Sequence, residues 1–117
     1  MYPADRLYTK DHVWIKEVSS GYLVGITTAD INEDVIYVEL PKIGATIDAG
    51  QSFVLVETTK DTTAYNLPFS GKVSKVNDAL LETPETLNED PYKDGWIVEL
   101  TSSKKPIGLL SAKEYDG

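Results

Sequence analysis

Apolar and polar residues alternate along much of this chain with the two-residue period of half-buried strands. From His12 to Val18, Val13 and Ile15 fall on one face, Trp14 and Lys16 on the other. Ser19-Ser20-Gly21 is a turn signal, and Tyr22–Thr27 reads as the returning strand of a first hairpin. Val35–Leu40 is a strand that Pro41 stops. Ile43–Gly50, with two glycines and an aspartate, reads as turns around a very short strand. Ser52–Glu57 and Thr62–Leu67 are rich in branched and aromatic residues and form the arms of a central hairpin. Asp61 suits the turn between them, which holds Lys60 near its tip. Lys72–Val76, with its valines on one side, and Trp96–Leu100 complete the strands.

Helical signals are few. Thr27-Thr28-Ala29-Asp30 matches a capping box with Asp in place of Glu and predicts a short helix over Ala29–Glu33. Thr83 before Pro84 reads as an N-cap with proline at the first helical position, giving one or two turns between Asn77 and Asn88. Leu109–Tyr115 is a short C-terminal helix. Some seven short strands separated by turns predict an all-β sandwich or closed barrel with minor helices. Trp14, Tyr37, Phe53, Phe69 and Trp96 are expected in the core or at the barrel ends. A glycine turn before a β-rich segment occurs at Gly44–Val56 and again at Gly71–Val76, a hint of internal duplication.

A chain of 117 residues suits one domain, here residues 1–117 with a short N-terminal extension and the C-terminal helix. Eleven basic residues against nineteen acidic give a net charge of −8. Phosphate binding needs a basic footprint, so no nucleic-acid partner is expected, whereas docking onto basic protein surfaces fits. No apolar run approaches a membrane span, no signal region opens the sequence, and a cytoplasmic protein is expected. With no cysteine there is no disulfide, thiolate metal site or cysteine nucleophile, so sulfur chemistry requires an added cofactor. The one histidine, His12, cannot form a zinc cluster.

Lys60 is the residue that stands out. A lysine in a turn, flanked by Glu57 and Asp61, is ordinarily a solvated surface group. Here the arms are apolar enough to be firmly packed, and a tight connection projects the amine on its four-carbon stem. Acylating it would remove its charge and lengthen its reach. Glu57 and Asp61 are weaker candidates for an acid–base pair, better read as solvated or as recognised by a modifying enzyme. His12 as a proton shuttle competes with a half-buried histidine beside Trp14. The acid run Glu82–Asp94 lacks the ligand spacing of a calcium loop and reads as a solvated rim or docking surface.

Val56-Glu57-Thr58-Thr59-Lys60 resembles the lipoylation turn of the H protein of the glycine cleavage system. Tyr8–Trp14 is similar to that family's N-terminal segment. Gly25-Ile26-Thr27, Val38-Glu39-Leu40-Pro41, Pro68-Phe69-Ser70-Gly71 and Val76-Asn77 follow in the family's order. Asn88–Tyr92 followed by Gly95-Trp96 is the most distinctive match, and the resemblance spans roughly Tyr8 to Tyr115. It implies a barrel-sandwich hybrid with lipoic acid in amide linkage to Lys60. It also implies a carrier and not an enzyme, serving glycine decarboxylase, aminomethyltransferase and dihydrolipoyl dehydrogenase. A lipoate ligase or lipoyltransferase would attach the group.

Two positions depart from the family pattern. Asp11-His12-Val13-Trp14 stands where many members have Ser-His-Glu-Trp, and valine accepts no hydrogen bond. Asp61-Thr62-Thr63-Ala64 stands where a small polar run usually ends in Asp. Both touch the region implied to shelter the loaded arm. The resemblance therefore leaves room for an H-like lipoate-binding protein serving heterodisulfide-reductase-like sulfur oxidation. An unmodified binding module that kept only the fold is a further alternative. A biotin carrier would carry methionines beside the lysine, where Thr59 and Asp61 stand.

Overall fold

The computed structural model describes residues 2–117. Nine strands and three short helices follow one another as β1 (Leu7–Tyr8), β2 (Val13–Val18), β3 (Gly21–Ile26), β4 (Val35–Glu39), β5 (Thr46–Ile47), β6 (Ser52–Thr58), β7 (Thr62–Asn66), β8 (Gly71–Val76), α1 (Ala79–Glu82), α2 (Thr86–Glu89), β9 (Val98–Thr101) and α3 (Ala112–Asp116). They form a six-stranded sheet in the order β1-β2-β3-β9-β8-β5 and a three-stranded sheet in the order β4-β6-β7, with antiparallel pairing throughout. The expected all-β barrel-sandwich architecture is present. Its core joins Val13, Val24 and Leu100 of the larger sheet to Val38, Val56 and Tyr65 of the smaller. Leu80 and Leu87 bring α1 and α2 onto the same core.

Three bulges adjust the two-residue period. The register slips at Ile36 in β4, at Phe53 in β6 and at Ser74 in β8. An extra residue moves the remainder of the strand to the opposite face. That is why Val35 and Val38, three apart, are both buried, and why Phe53 and Val54 are buried side by side. It also turns Val76 toward the core that Val73 occupies.

β2 departs from simple alternation. Trp14 lies on the face opposite Val13, yet it is as deeply buried. The Arg6 guanidinium stacks 4.5 Å over the indole, whose N–H donates to the Pro91 carbonyl at 3.1 Å. Gly25, paired with Trp14 across the ladder, leaves room for the ring, because a Cβ there would lie 2.4 Å from it. Tyr37, expected in the core, is exposed, since the bulge at Ile36 turns it outward.

The helix expected over Ala29–Glu33 is absent. The Thr27 N–H donates to the His12 carbonyl and the Asp30 carboxylate receives the Tyr65 hydroxyl, which takes both partners of one half of the capping box, while the Thr27 hydroxyl bonds to the Ala29 N–H and the Tyr115 hydroxyl instead of serving the other half. Thr83 ends α1 instead of starting α2, its hydroxyl donating back to Ala79 at 2.9 Å. The C-terminal helix is shorter than expected, since Leu110 pairs with Tyr8 as a β-bridge. Its start is set by a capping box between Ser111 and Glu114. No helix among the described residues is long and apolar enough to cross a membrane.

Candidate functional site

β6 and β7 pair from Ser52–Asn66 to Glu57–Thr62 and turn over at Thr58-Thr59-Lys60-Asp61. The Thr58 N–H donates to the Asp61 carbonyl at 2.8 Å and closes the loop. The Thr58 hydroxyl accepts from the N–H groups of Lys60 and Asp61, each at 3.2 Å, and itself donates to the Asp61 carbonyl. One side chain thus satisfies the tip's free backbone groups, as hydroxyls do in tight turns. The Thr59 N–H donates to the Asp34 carbonyl at 3.1 Å, moving the tip with the start of β4. Lys60 is exposed at the summit, and its ammonium enters no salt bridge among the described residues.

Two adjoining hollows run back from this tip. The first, about 260 Å³, is bounded by Lys60, Asp61, Thr58, Val56 and the loop residues Asp30 to Glu33. The second, about 280 Å³, is bounded by Asp11, His12, Ala64 and Asn66. Asp30, Thr63 and Tyr65 line both, so the two hollows adjoin and mark out a groove in two parts between Lys60 and His12. Where the hollows meet, the Tyr65 hydroxyl donates to the Asp30 carboxylate at 2.9 Å. Burial, and then the bond to Asp30 and its charge, hold the Tyr65 phenol well above its ordinary pKa. A larger cleft of about 530 Å³ lies away from the tip, against Arg6, Tyr22 and Leu109.

Glu57 is half-buried and Asp61 exposed, but only Asp61 borders the groove. His12 is half-buried with a left-handed backbone, φ 70°. Its Nδ1 is hydrogen-bonded to the Tyr115 hydroxyl, which also bonds to Thr27 Oγ1 at 2.7 Å. The ring is therefore held by α3 at the far end of the groove. Val13 sits in the core and lines neither hollow, whereas Ala64 borders the second. Among the described residues, no three of His, Asp and Glu converge to hold a metal ion.

The sequence gives Thr58 and Asp30 no role in a site, Asp30 being read there only as the end of a capping box. A threonine two residues before the tip is a usable signal for a side-chain-bonded turn. Asp30 carried no such signal, because its partner Tyr65 lies 35 positions away.

Comparison with known proteins places this architecture. The profile of the family described as "Glycine cleavage H-protein" matches residues 6–117. The glycine cleavage system H protein of Myxococcus xanthus (strain DK1622) is 43% identical, aligned over 97% of this chain and 91% of its own. That of Herpetosiphon aurantiacus is 39% identical over 97% of this chain and 90% of its own. The crystal structure of a glycine cleavage system H protein from Mycobacterium marinum superposes with a TM-score of 0.90 at 36% identity, covering 99% of this chain and 97% of that one.

Proposed function

This chain belongs to the glycine cleavage H-protein family, and on that premise we propose that Lys60 receives lipoic acid in amide linkage. The protein is a lipoyl carrier in the glycine cleavage system. The observation that carries the attachment site is the exposed amine, in no salt bridge among the described residues, on a turn whose backbone is tied down on both sides. An amine held this way is presented to an acylating enzyme without first being freed from a partner.

The residues around Lys60 fit such a group. Val56 and Ile31 are the apolar members of the first hollow's otherwise polar lining, and the hollow starts at the amine itself. The bound group supplies a dithiolane, the sulfur centre that a chain without cysteine lacks. The protein's own part is to present and orient. The closed loop at Thr58 fixes the base of the arm, and the Tyr65–Asp30 bond fixes the middle of the groove. Asp11 and Asp30 border the second hollow, where Ala64 provides no acceptor. They are the carboxylates available there to a cationic amine. Tethering keeps the arm at high effective concentration wherever the carrier is docked.

The carrier does no catalysis of its own. It serves glycine decarboxylase, aminomethyltransferase and dihydrolipoyl dehydrogenase in the cytoplasm, after modification by a lipoate ligase or lipoyltransferase. Relatives named for glycine cleavage favour this pathway over sulfur oxidation.

Intact mass of the protein isolated from its native host tests the attachment. The lipoyl increment is expected on Lys60 and absent from Lys60→Arg. In parallel, purified chain is incubated with lipoate ligase, ATP and lipoate. A chain that stays bare while a known acceptor is modified beside it would overturn the assignment.

A further inference from the structure

We propose that the outer side of β4, together with α1 and α2 beside it, is a docking surface for a protein with an apolar centre ringed by lysine and arginine. That surface belongs at the mouth of an enzyme site that takes in the arm from Lys60, so the inference rests on the attachment proposed above.

Three exposed apolar side chains form the centre. Ile36 and Tyr37 on β4 are 50% and 47% exposed, and Leu81 on α1 is 51% exposed. α1 packs beside β4, and Asn88 of α2 pins the strand's start by accepting from the Val35 N–H and donating to the Glu33 carbonyl, both at 2.9 Å. Such side chains clustered on neighbouring elements mark an interaction site more often than scattered ones do.

The surface adjoins the tip. Tyr37 pairs with Glu57, three residues before Lys60, which places it about 10 Å away along the strand. A specific interface covers roughly 800 Å² per partner, a disc of about 16 Å radius. A partner that receives the end of the Lys60 side chain therefore also covers β4.

Charge selects the occupant. Neither residues 29–41 nor residues 77–92 contain a lysine or arginine, and together they carry nine carboxylates. Asp34, Glu39, Glu82 and Glu85 are exposed around the apolar centre. A second copy of this chain would set those acids against themselves, whereas a basic rim complements them. Complementary rims speed encounter and suppress wrong partners.

Binding to purified glycine decarboxylase tests the proposal. Wild-type and variant chains are measured by interferometry at low and high salt, both unmodified and after treatment with lipoate ligase, with intact mass checked. Glu82→Lys/Glu85→Lys is expected to weaken binding by about tenfold or more and to flatten its salt dependence. Ile36→Ser/Leu81→Ser is expected to weaken it while the salt dependence stays. Glu17→Lys/Asp48→Lys makes the same charge change away from the tip and is expected to alter affinity less than about twofold. Equal affinity for all variants, or equal loss in the last pair, overturns the docking surface. So does sedimentation showing that Ile36→Ser/Leu81→Ser abolishes self-association of the wild type. The unmodified series decides docking without the arm, so a chain that gains no lipoyl mass counts against the attachment alone.

Discussion

The Tyr65 hydroxyl donates to the Asp30 carboxylate across 2.9 Å, tying the strand that leaves the Lys60 turn to the loop between β3 and β4. This bond stands where the expected helix would have begun. It holds a loop without helical structure at the middle of the groove. Tyr65→Phe keeps the ring in the core and removes only the bond. Stability is expected to fall by about 1 kcal/mol in urea denaturation, with faster amide exchange over residues 27–34. Unchanged exchange in that loop would show that the bond is not its anchor.

The Thr58 hydroxyl sets the shape of the tip. Thr58→Ala leaves two backbone N–H groups at the summit without this acceptor, while Thr58→Ser retains it. Lipoate ligase is expected to modify the alanine variant several-fold more slowly and the serine variant at close to the wild-type rate. Equal rates for both would remove the hydroxyl from the account of presentation.

Gly25 faces the Trp14 ring with no space for a methyl group. Gly25→Ala must displace the indole from Pro91 or from under Arg6. Overpacking of this kind costs about 2 kcal/mol, which for a domain of this size lowers Tm by roughly 10 °C. A calorimetric Tm within a degree or two of wild type would mean that the sheet yields there without strain.

Alkaline pH should unfold the protein through its tyrosines. Burial pushes the Tyr8 phenol up to about 12 and holds Tyr65 and Tyr115 above their ordinary value of about 10. Below pH 10 both folded and unfolded chains keep these protons, and the stability is fully present. Above it the unfolded chain ionises first, so stability falls with rising pH until the folded phenols ionise too. Tyr8→Phe and Tyr65→Phe should each flatten that fall between pH 10 and 12, measured by denaturation at fixed pH. A slope equal to wild type in both would assign alkaline unfolding to other groups.

The strands and the Lys60 hairpin were legible because both are local. Branched residues, turn residues and the polarity of the tip lie within one short window. The misread parts depend on distant partners. Asp30 looks like the end of a capping box until Tyr65, on another strand, claims its carboxylate. Trp14 looks like the outward member of an alternating pair until Arg6 and Pro91 cover it. Tyr37 looks like a core aromatic until a bulge one residue earlier turns it out. The groove was not legible at all, because its walls come from residues 11–12, 30–33 and 56–66.

The Lys60 ammonium, in no salt bridge among the described residues, bears on how the fold would tolerate its modification. Turning that amine into an amide would subtract no ion pair from the fold. The scaffold would then be finished before its amine is ever acylated, with no ion pair to break first.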